Sequence, residues 1–166
     1  LIWQDMPSGG GEDQYLAGTS QYQAIFPSET LAEQQKQLSE MIGELRAFPS
    51  IVTWVVNNEG WGQYDSATLT RFVKGIDPTR LVDANSGWLD VAPKDSDMLD
   101  IHTYEDVPKT PPLQADRAIV LGEYGGVGFP VPGHIWKPGK GNWSYQVAQD
   151  EKEYLVRFRR KMEGVI

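Results

Sequence analysis

The chain lacks cysteine altogether, and this absence excludes three kinds of chemistry. Without thiols it forms no disulfide, no thiolate metal site and no cysteine nucleophile. Because a core of this size needs no covalent staple, the absence is compatible with any compartment. The residues leave the localisation open, and we favour a periplasmic or extracellular location slightly over a cytoplasmic one.

Long apolar runs and an excess of basic residues are also missing. No apolar stretch approaches the roughly 18 residues of a membrane span, so we expect no membrane partner. Fifteen Lys plus Arg against 23 Asp plus Glu give a formal charge of -8, which would repel a phosphate backbone. We therefore expect no nucleic-acid partner. The length of 166 residues predicts a single domain covering residues 1–166.

Short apolar runs that end in polar residues recur along the chain. Five of them have the length and the β-branched or aromatic content of strands buried on both faces of a parallel sheet. They are residues 1–3, 51–56, 81–82, 98–101 and 118–122. Helical spacing between several of these runs predicts an α/β fold. The pattern leaves open whether the sheet is doubly wound or closed as a barrel.

Three helices are predicted from apolar residues at helical spacing. Each has a polar side chain at its start that can accept hydrogen bonds from the first free N–H groups. These starts are Thr30 with Glu33, Asp65, and Asp150 with Glu153. The stretch of residues 125–142 is rich in Gly and Pro, so it is predicted to be a long loop.

Two of the predicted strands are followed by glutamate. Residues 51–56 lead to Glu59, and residues 118–122 lead directly to Glu123. In parallel α/β folds the carboxyl ends of the strands face the ligand crevice. Hydrolysis of a glycosidic bond needs one protonated and one ionised carboxyl group, which two converging glutamates would supply. The spacing alone leaves open that both are solvated loop carboxylates.

Four motifs in order carry a resemblance to a known family. Residues 51–62, IVTWVVNNEGWG, resemble the fourth barrel strand of family 2 glycoside hydrolases, the β-galactosidase and β-glucuronidase type. Residues 119–126, IVLGEYGG, resemble the seventh strand, residues 2–7, IWQDMP, the third, and residues 100–104, DIHTY, the sixth. The resemblance implies a partial (β/α)8 TIM barrel covering about strands 3 to 7. It also implies retaining hydrolysis of terminal β-glycosides, with β-galactosides favoured and no cofactor.

The resemblance also implies roles for individual residues. Glu59 is expected to be the acid/base, and Glu123 the nucleophile. Asn58 is expected to bind the sugar 2-hydroxyl, although it would also suit the turn after the strand. Tyr104 is expected to keep the nucleophile ionised, since hydrogen bonds to the charged form lower a carboxylate pKa. As a bare sequence feature, a tyrosine at position 104 would more often belong to the core.

Five further residues are expected to contact the substrate. Trp61 and Trp88 can stack on the apolar face of a sugar, and Asp5 and Asn85 can bind hydroxyl groups. His102 has no Cys or second His nearby at ligand spacing, so we expect no metal site. A hydrogen bond within the cleft is preferred for His102, and a purely structural role stays open.

Motifs for the first two strands and the eighth are absent, and a complete barrel has about 250 residues. The chain is therefore expected to be a fragment that is weakly active or inactive alone.

Open strand edges favour association. Besides a carbohydrate substrate, we expect a homo-oligomer or the missing remainder of the barrel as partner. A non-catalytic carbohydrate-binding or scaffold fragment is the alternative, whereas a nucleotide-binding domain is disfavoured because no phosphate loop follows a strand.

Overall fold

The computed structural model describes residues 1–7, 24, 26–60, 62–87, 89–137 and 144–166. The elements in these ranges are β1 (Ile2–Asp5), α1 (Ser28–Leu45), β2 (Ile51–Val55), α2 (Ser66–Ile76), β3 (Leu81–Asp83), β4 (Met98–Thr103), β5 (Ala118–Tyr124), β6 (Val127–Gly128), β7 (Gln146–Val147) and α3 (Glu151–Gly164). The five predicted strands and three predicted helices are thus confirmed, and so is the α/β class. The described residues form no closed barrel.

The chain divides into two compact units. The first unit comprises Leu1–Ile101 and Leu113–Gly122, and the second comprises His102–Pro112 and Glu123–Ile166. Each has its own secondary structure, with α1 and α2 in the first and α3 in the second. The single domain expected from the length stays a prediction.

The core of the first unit is a parallel sheet covered by two helices. Strands β1, β2 and β3 lie side by side in that order, and α1 and α2 form the two crossovers that parallel pairing requires. Both helices contribute to one buried cluster. Its members are Met6, Leu38, Ile42, Ile51, Trp54, Val56, Tyr64, Leu69, Val73 and Val82. Burial of each large apolar side chain stabilises the unit by about 1.5–3 kcal/mol.

The predicted helix starts are confirmed in one case of three. Asp150 accepts a hydrogen bond from Glu153 N at 2.8 Å, and the Glu153 carboxylate in turn accepts one from Gln149 N at 2.7 Å. The capping box predicted at Thr30 is wrong, because α1 already begins after Pro27 and has no side-chain cap. Asp65 precedes α2 as predicted, but its left-handed backbone, with φ of 37°, is accompanied by no capping bond from its side chain.

A buried ionic network lies next to the amino-terminal ends of β2 and β3. Asp77 accepts hydrogen bonds from Trp54 Nε1 at 3.0 Å, from Thr79 N at 3.1 Å and from Arg80 at 2.5 Å. Arg80 also donates to the backbone carbonyls of Arg46, Phe48 and Ile51. Burial alone would raise the pKa of Asp77, but the donors outweigh it and hold that pKa well below its ordinary value.

Residues 96–97 occupy the edge of β3 that faces away from β2, and the Asp97 N–H donates to the Val82 carbonyl at 3.0 Å. Val82 N donates to Asp97 at 2.8 Å, and Ala84 N donates to Ser96 Oγ at 3.1 Å. Strands β4 and β5 instead pair in a separate two-stranded sheet. Both extend further than predicted, because His102 and Glu123 lie within the strands rather than after them. The described residues therefore form three sheets instead of one.

The second unit differs most from the sequence prediction. Strand β6 lies within the predicted loop of residues 125–142, where it pairs in parallel with β7, so that prediction is wrong in this part. Residues 138–142 lie outside the described residues.

Helix α3 exposes Leu155 and Phe158, while Lys161 is only 2% exposed. Among the described residues, no helix is long and apolar enough to cross a membrane.

Candidate active site

The segment after β2 positions Asn58 and Glu59. Asn58 forms an isolated parallel bridge with Ser86, and Glu59 N donates to the Ser86 carbonyl at 2.8 Å. These contacts extend the pairing of β2 and β3 beyond their carboxyl ends. Glu59 is half-buried and has a φ of 52°, in the left-handed region that costs a non-glycine residue about 1–2 kcal/mol. Such strain at a strand end is characteristic of functional sites.

Asn57, for which the sequence predicted no role, orders this segment. Its buried amide nitrogen donates to the Ala84 carbonyl at 2.9 Å and to Ser66 Oγ at 3.2 Å. One side chain thus connects the ends of β2 and β3 with the start of α2. The signal in the sequence is the doubled asparagine before Glu59, of which only the second was assigned a role.

Four other predicted substrate contacts lie outside this segment. Asp5 is exposed at the end of β1, where it pairs with Val55. Asn85 is buried, and its amide nitrogen donates to the Leu89 carbonyl at 2.7 Å, so this hydrogen bond orders the loop that contains Asn85. Trp61 and Trp88 lie outside the described residues. Substrate binding by these four residues stays a prediction.

A buried aspartate in β4 supports the strand that leads to Glu123. Asp100 accepts hydrogen bonds from Ser86 Oγ at 2.9 Å and from Gly122 N at 2.8 Å. A Cβ at position 122 would collide with this carboxylate, so any larger residue there would displace the Asp100 side chain. Asp100 had no predicted role of its own. What indicates a role for Asp100 in the sequence is its position as an acidic residue inside the apolar run of residues 98–101.

The second unit brings three predicted site residues together. Tyr104 Oη donates a 2.7 Å hydrogen bond to Glu123 Oε2, and His102 Nδ1 lies 3.6 Å from the same oxygen. The His102 side chain is fully buried, whereas the Glu123 side chain is 50% exposed. The carboxylate is therefore held by a phenol donor on one side and stays accessible to a ligand on the other.

An aromatic stack fixes the plane of the Tyr104 ring. The rings of Tyr104 and Tyr145 are nearly parallel, with centroids 3.5 Å apart and an interplanar angle of 13°. Gly126 lies beside both rings with a φ of 65°, and a Cβ there would come within 2.7 Å of Tyr145 and 3.1 Å of Tyr104. Any larger residue at position 126 would displace one of the two rings.

The arrangement in the second unit orients the Glu123 carboxylate and leaves it accessible to a ligand. The phenol of Tyr104 and the buried imidazole of His102 both lie against the Oε2 atom of Glu123. Partial exposure lets a reacting atom approach. The first unit separately supplies a strained, half-buried glutamate at a strand end.

Comparison with known proteins identifies the family. The family model described as glycosyl hydrolases family 2, TIM barrel domain, matches residues 14–158, which is most of the chain. No curated protein matches the chain. The family predicted from the four strand motifs is confirmed. The chain therefore belongs to glycoside hydrolase family 2, and residues 14–158 match the TIM barrel domain of that family.

Proposed function

We propose that this protein hydrolyses terminal β-glycosides with retention of configuration, with Glu123 as the nucleophile and Glu59 as the acid/base. Membership of the family supports glycosidase activity in general. The observation that carries the finer proposal is the 2.7 Å hydrogen bond from Tyr104 to Glu123. An attacking carboxylate must be ionised and accessible, and Glu123 combines this phenol donor with a half-exposed side chain.

The proposed reaction has two steps. In the first, Glu59 donates its proton to the glycosidic oxygen while Glu123 attacks the anomeric carbon, so that the aglycone leaves as an alcohol and a glycosyl ester forms. In the second, Glu59 takes a proton from water, the hydroxide attacks the anomeric carbon and the Glu123 carboxylate is released. Asn58, which precedes Glu59 and is anchored to Ser86, is proposed to bind the 2-hydroxyl group.

We propose β-galactosides as the substrate class because of the resemblance of the strand motifs. The test is a panel of aryl β-galactoside, β-glucuronide and β-mannoside substrates at equal concentration. We expect the highest kcat/KM for the galactoside. A preference for the glucuronide or the mannoside would overturn the substrate class while leaving the mechanism intact.

Replacement of each glutamate tests the assigned roles. Glu123→Ala and Glu59→Ala should each lower kcat by about 10⁴-fold or more, as for loss of a central catalytic group. Azide should restore turnover in both variants, with the inverted α-glycosyl azide from Glu123→Ala and the β-glycosyl azide from Glu59→Ala. The reverse pattern would exchange the two roles. Glu151→Gln, an exposed acidic residue of α3, is the matched control and should keep full activity.

The stereochemistry of the first product tests retention directly. Proton NMR during early turnover should detect the β-anomer of the sugar before mutarotation, because two displacements at the anomeric carbon restore its configuration. Release of the α-anomer would contradict the proposal. Binding of sugar without turnover would favour the carbohydrate-binding alternative.

A further inference from the structure

A lysine is buried in the second unit, where the sequence predicted only an amphipathic helix. Lys161 of α3 is 2% exposed, and lysine is almost never buried to this extent unless it is paired. A buried ammonium group also costs several kcal/mol unless its donors are satisfied. The partners of Lys161 therefore indicate why the residue is there.

These partners are the backbone groups that follow β4. Lys161 Nζ donates to the Tyr104 carbonyl at 2.7 Å and to the Glu105 carbonyl at 3.2 Å. The Asp106 carboxylate lies at 3.6 Å, and it is closer to Arg160, at 3.0 Å. The two carbonyls are thus the near partners of Lys161, and the ion pair with Asp106 is secondary.

The backbone allows this close approach because α3 ends in glycine. A Cβ at Gly164 would collide with the Asp106 carbonyl oxygen and lie 3.3 Å from Val107 Cα. The last turn of the helix can therefore lie directly against the segment that contains Tyr104. Lys161, one turn earlier, reaches the carbonyls from this position.

Tyr104 is consequently held at three points. Its carbonyl accepts the hydrogen bond from Lys161, its ring stacks on Tyr145, and its hydroxyl donates to Glu123. We propose that Lys161 is a positioning residue for the nucleophile, because it fixes the backbone from which the phenol reaches Glu123. This inference rests on the proposed function of Glu123.

The test compares three variants of the full chain. Lys161→Met keeps a long side chain but removes the donor, and Lys161→Arg retains a donor. Arg160→Met is the matched control, because it removes a neighbouring cation that bonds the same Asp106 without touching the Tyr104 carbonyl. Since small misplacements at a reacting centre cost up to about 100-fold in rate, Lys161→Met should lower kcat by about 10- to 100-fold with little change in KM. Lys161→Arg should recover most of this loss, and Arg160→Met should keep the activity of the parent.

A double-mutant cycle with Tyr104→Phe separates positioning from a general loss of stability. Because Lys161 is proposed to act through the Tyr104 hydroxyl, the Lys161→Met effect should shrink to within about twofold in the Tyr104→Phe background. An equal loss of kcat in both backgrounds, or no loss in the parent, would overturn the proposal.

Hydrogen–deuterium exchange gives a second readout that needs no turnover. Exchange of the amides of residues 103–107 should accelerate in Lys161→Met and not in Arg160→Met. If no protein of the series hydrolyses a glycoside, the proposed function fails, and exchange still decides whether Lys161 holds this segment. If the parent is active and both Lys161→Met readouts match those of Arg160→Met, the positioning role fails while the proposed function stands.

Discussion

Replacing Asp77 with alanine should destabilise the first unit by about 3–5 kcal/mol, the cost of breaking a buried ion pair by removing one partner. Asp77 is 4% exposed and is the acceptor for Trp54 Nε1, Arg80 and Thr79. Its loss would leave a buried indole N–H without a partner, at about 1–3 kcal/mol. It would also loosen Arg80, which bonds three carbonyls between α1 and β2.

Urea unfolding followed by tryptophan fluorescence measures this effect. Asp95→Ala is the matched control, because Asp95 pairs with Arg71, whose side chain is 58% exposed, and exposed pairs contribute at most about 1 kcal/mol. A loss below about 1 kcal/mol for Asp77→Ala, equal to that of the control, would refute the reasoning.

The pH dependence gives an independent check on the same network. Because the pKa of Asp77 is lowered in the folded state, its stabilisation is fully present above the unfolded value of about 3.9 and is lost as pH falls through the folded value. The difference in unfolding free energy between the parent and Asp77→Ala should therefore shrink as pH falls below about 4. A difference that stays constant down to pH 2 would contradict the assignment.

Three further substitutions have defined outcomes. Gly122→Ala should displace the Asp100 carboxylate and lower the unfolding free energy by about 1–3 kcal/mol, as measured by urea titration. Asn57→Ala should lose two buried hydrogen bonds and cost about 1–3 kcal/mol, with a fall in kcat because Glu59 is then less firmly positioned. Gly126→Ala should lower kcat on an aryl glycoside, because its Cβ would collide with the ring of Tyr145 and disturb the stack that orients Tyr104; unchanged kinetics would contradict the close contact.

The sequence was most informative where local composition alone determines structure. The apolar run before Glu59 predicted β2, because β-branched and aromatic residues in a short stretch suit a strand buried on both faces, and Trp54 is indeed fully buried. The pairing of Asp150 with Glu153 predicted the start of α3 for a similar reason, since both capping partners lie within four residues.

Long-range contacts explain most of what the sequence did not predict. Strands β6 and β7 have two residues each, and such pairs form only when distant parts of the chain meet. Lys161 looks like a solvated helix residue in sequence, and only its contact with the Tyr104 carbonyl reveals that it is buried. Asp100 was likewise missed because its partners, Ser86 and Gly122, are distant in the chain.

The open edge of β3 shows how side chains change sheet topology. The periodicity of the sequence predicted one sheet through all five strands. Periodicity contains no information about long-range contacts such as the hydrogen bonds from the β3 amides to the side chains of Ser96 and Asp97. Buried N–H groups must be paired, but a serine or aspartate side chain serves as well as a strand. The order of the elements was therefore predictable, whereas their division among three sheets was not.

The identity of the nucleophile is tested most directly by trapping the covalent intermediate. A 2-deoxy-2-fluoro-β-galactoside with a good leaving group should slow the second step more than the first, so that the glycosyl ester accumulates. Mass spectrometry of the digested protein should then find the sugar on Glu123, and Tyr104→Phe should slow the labelling. A label on Glu59 or on another residue would contradict the central claim.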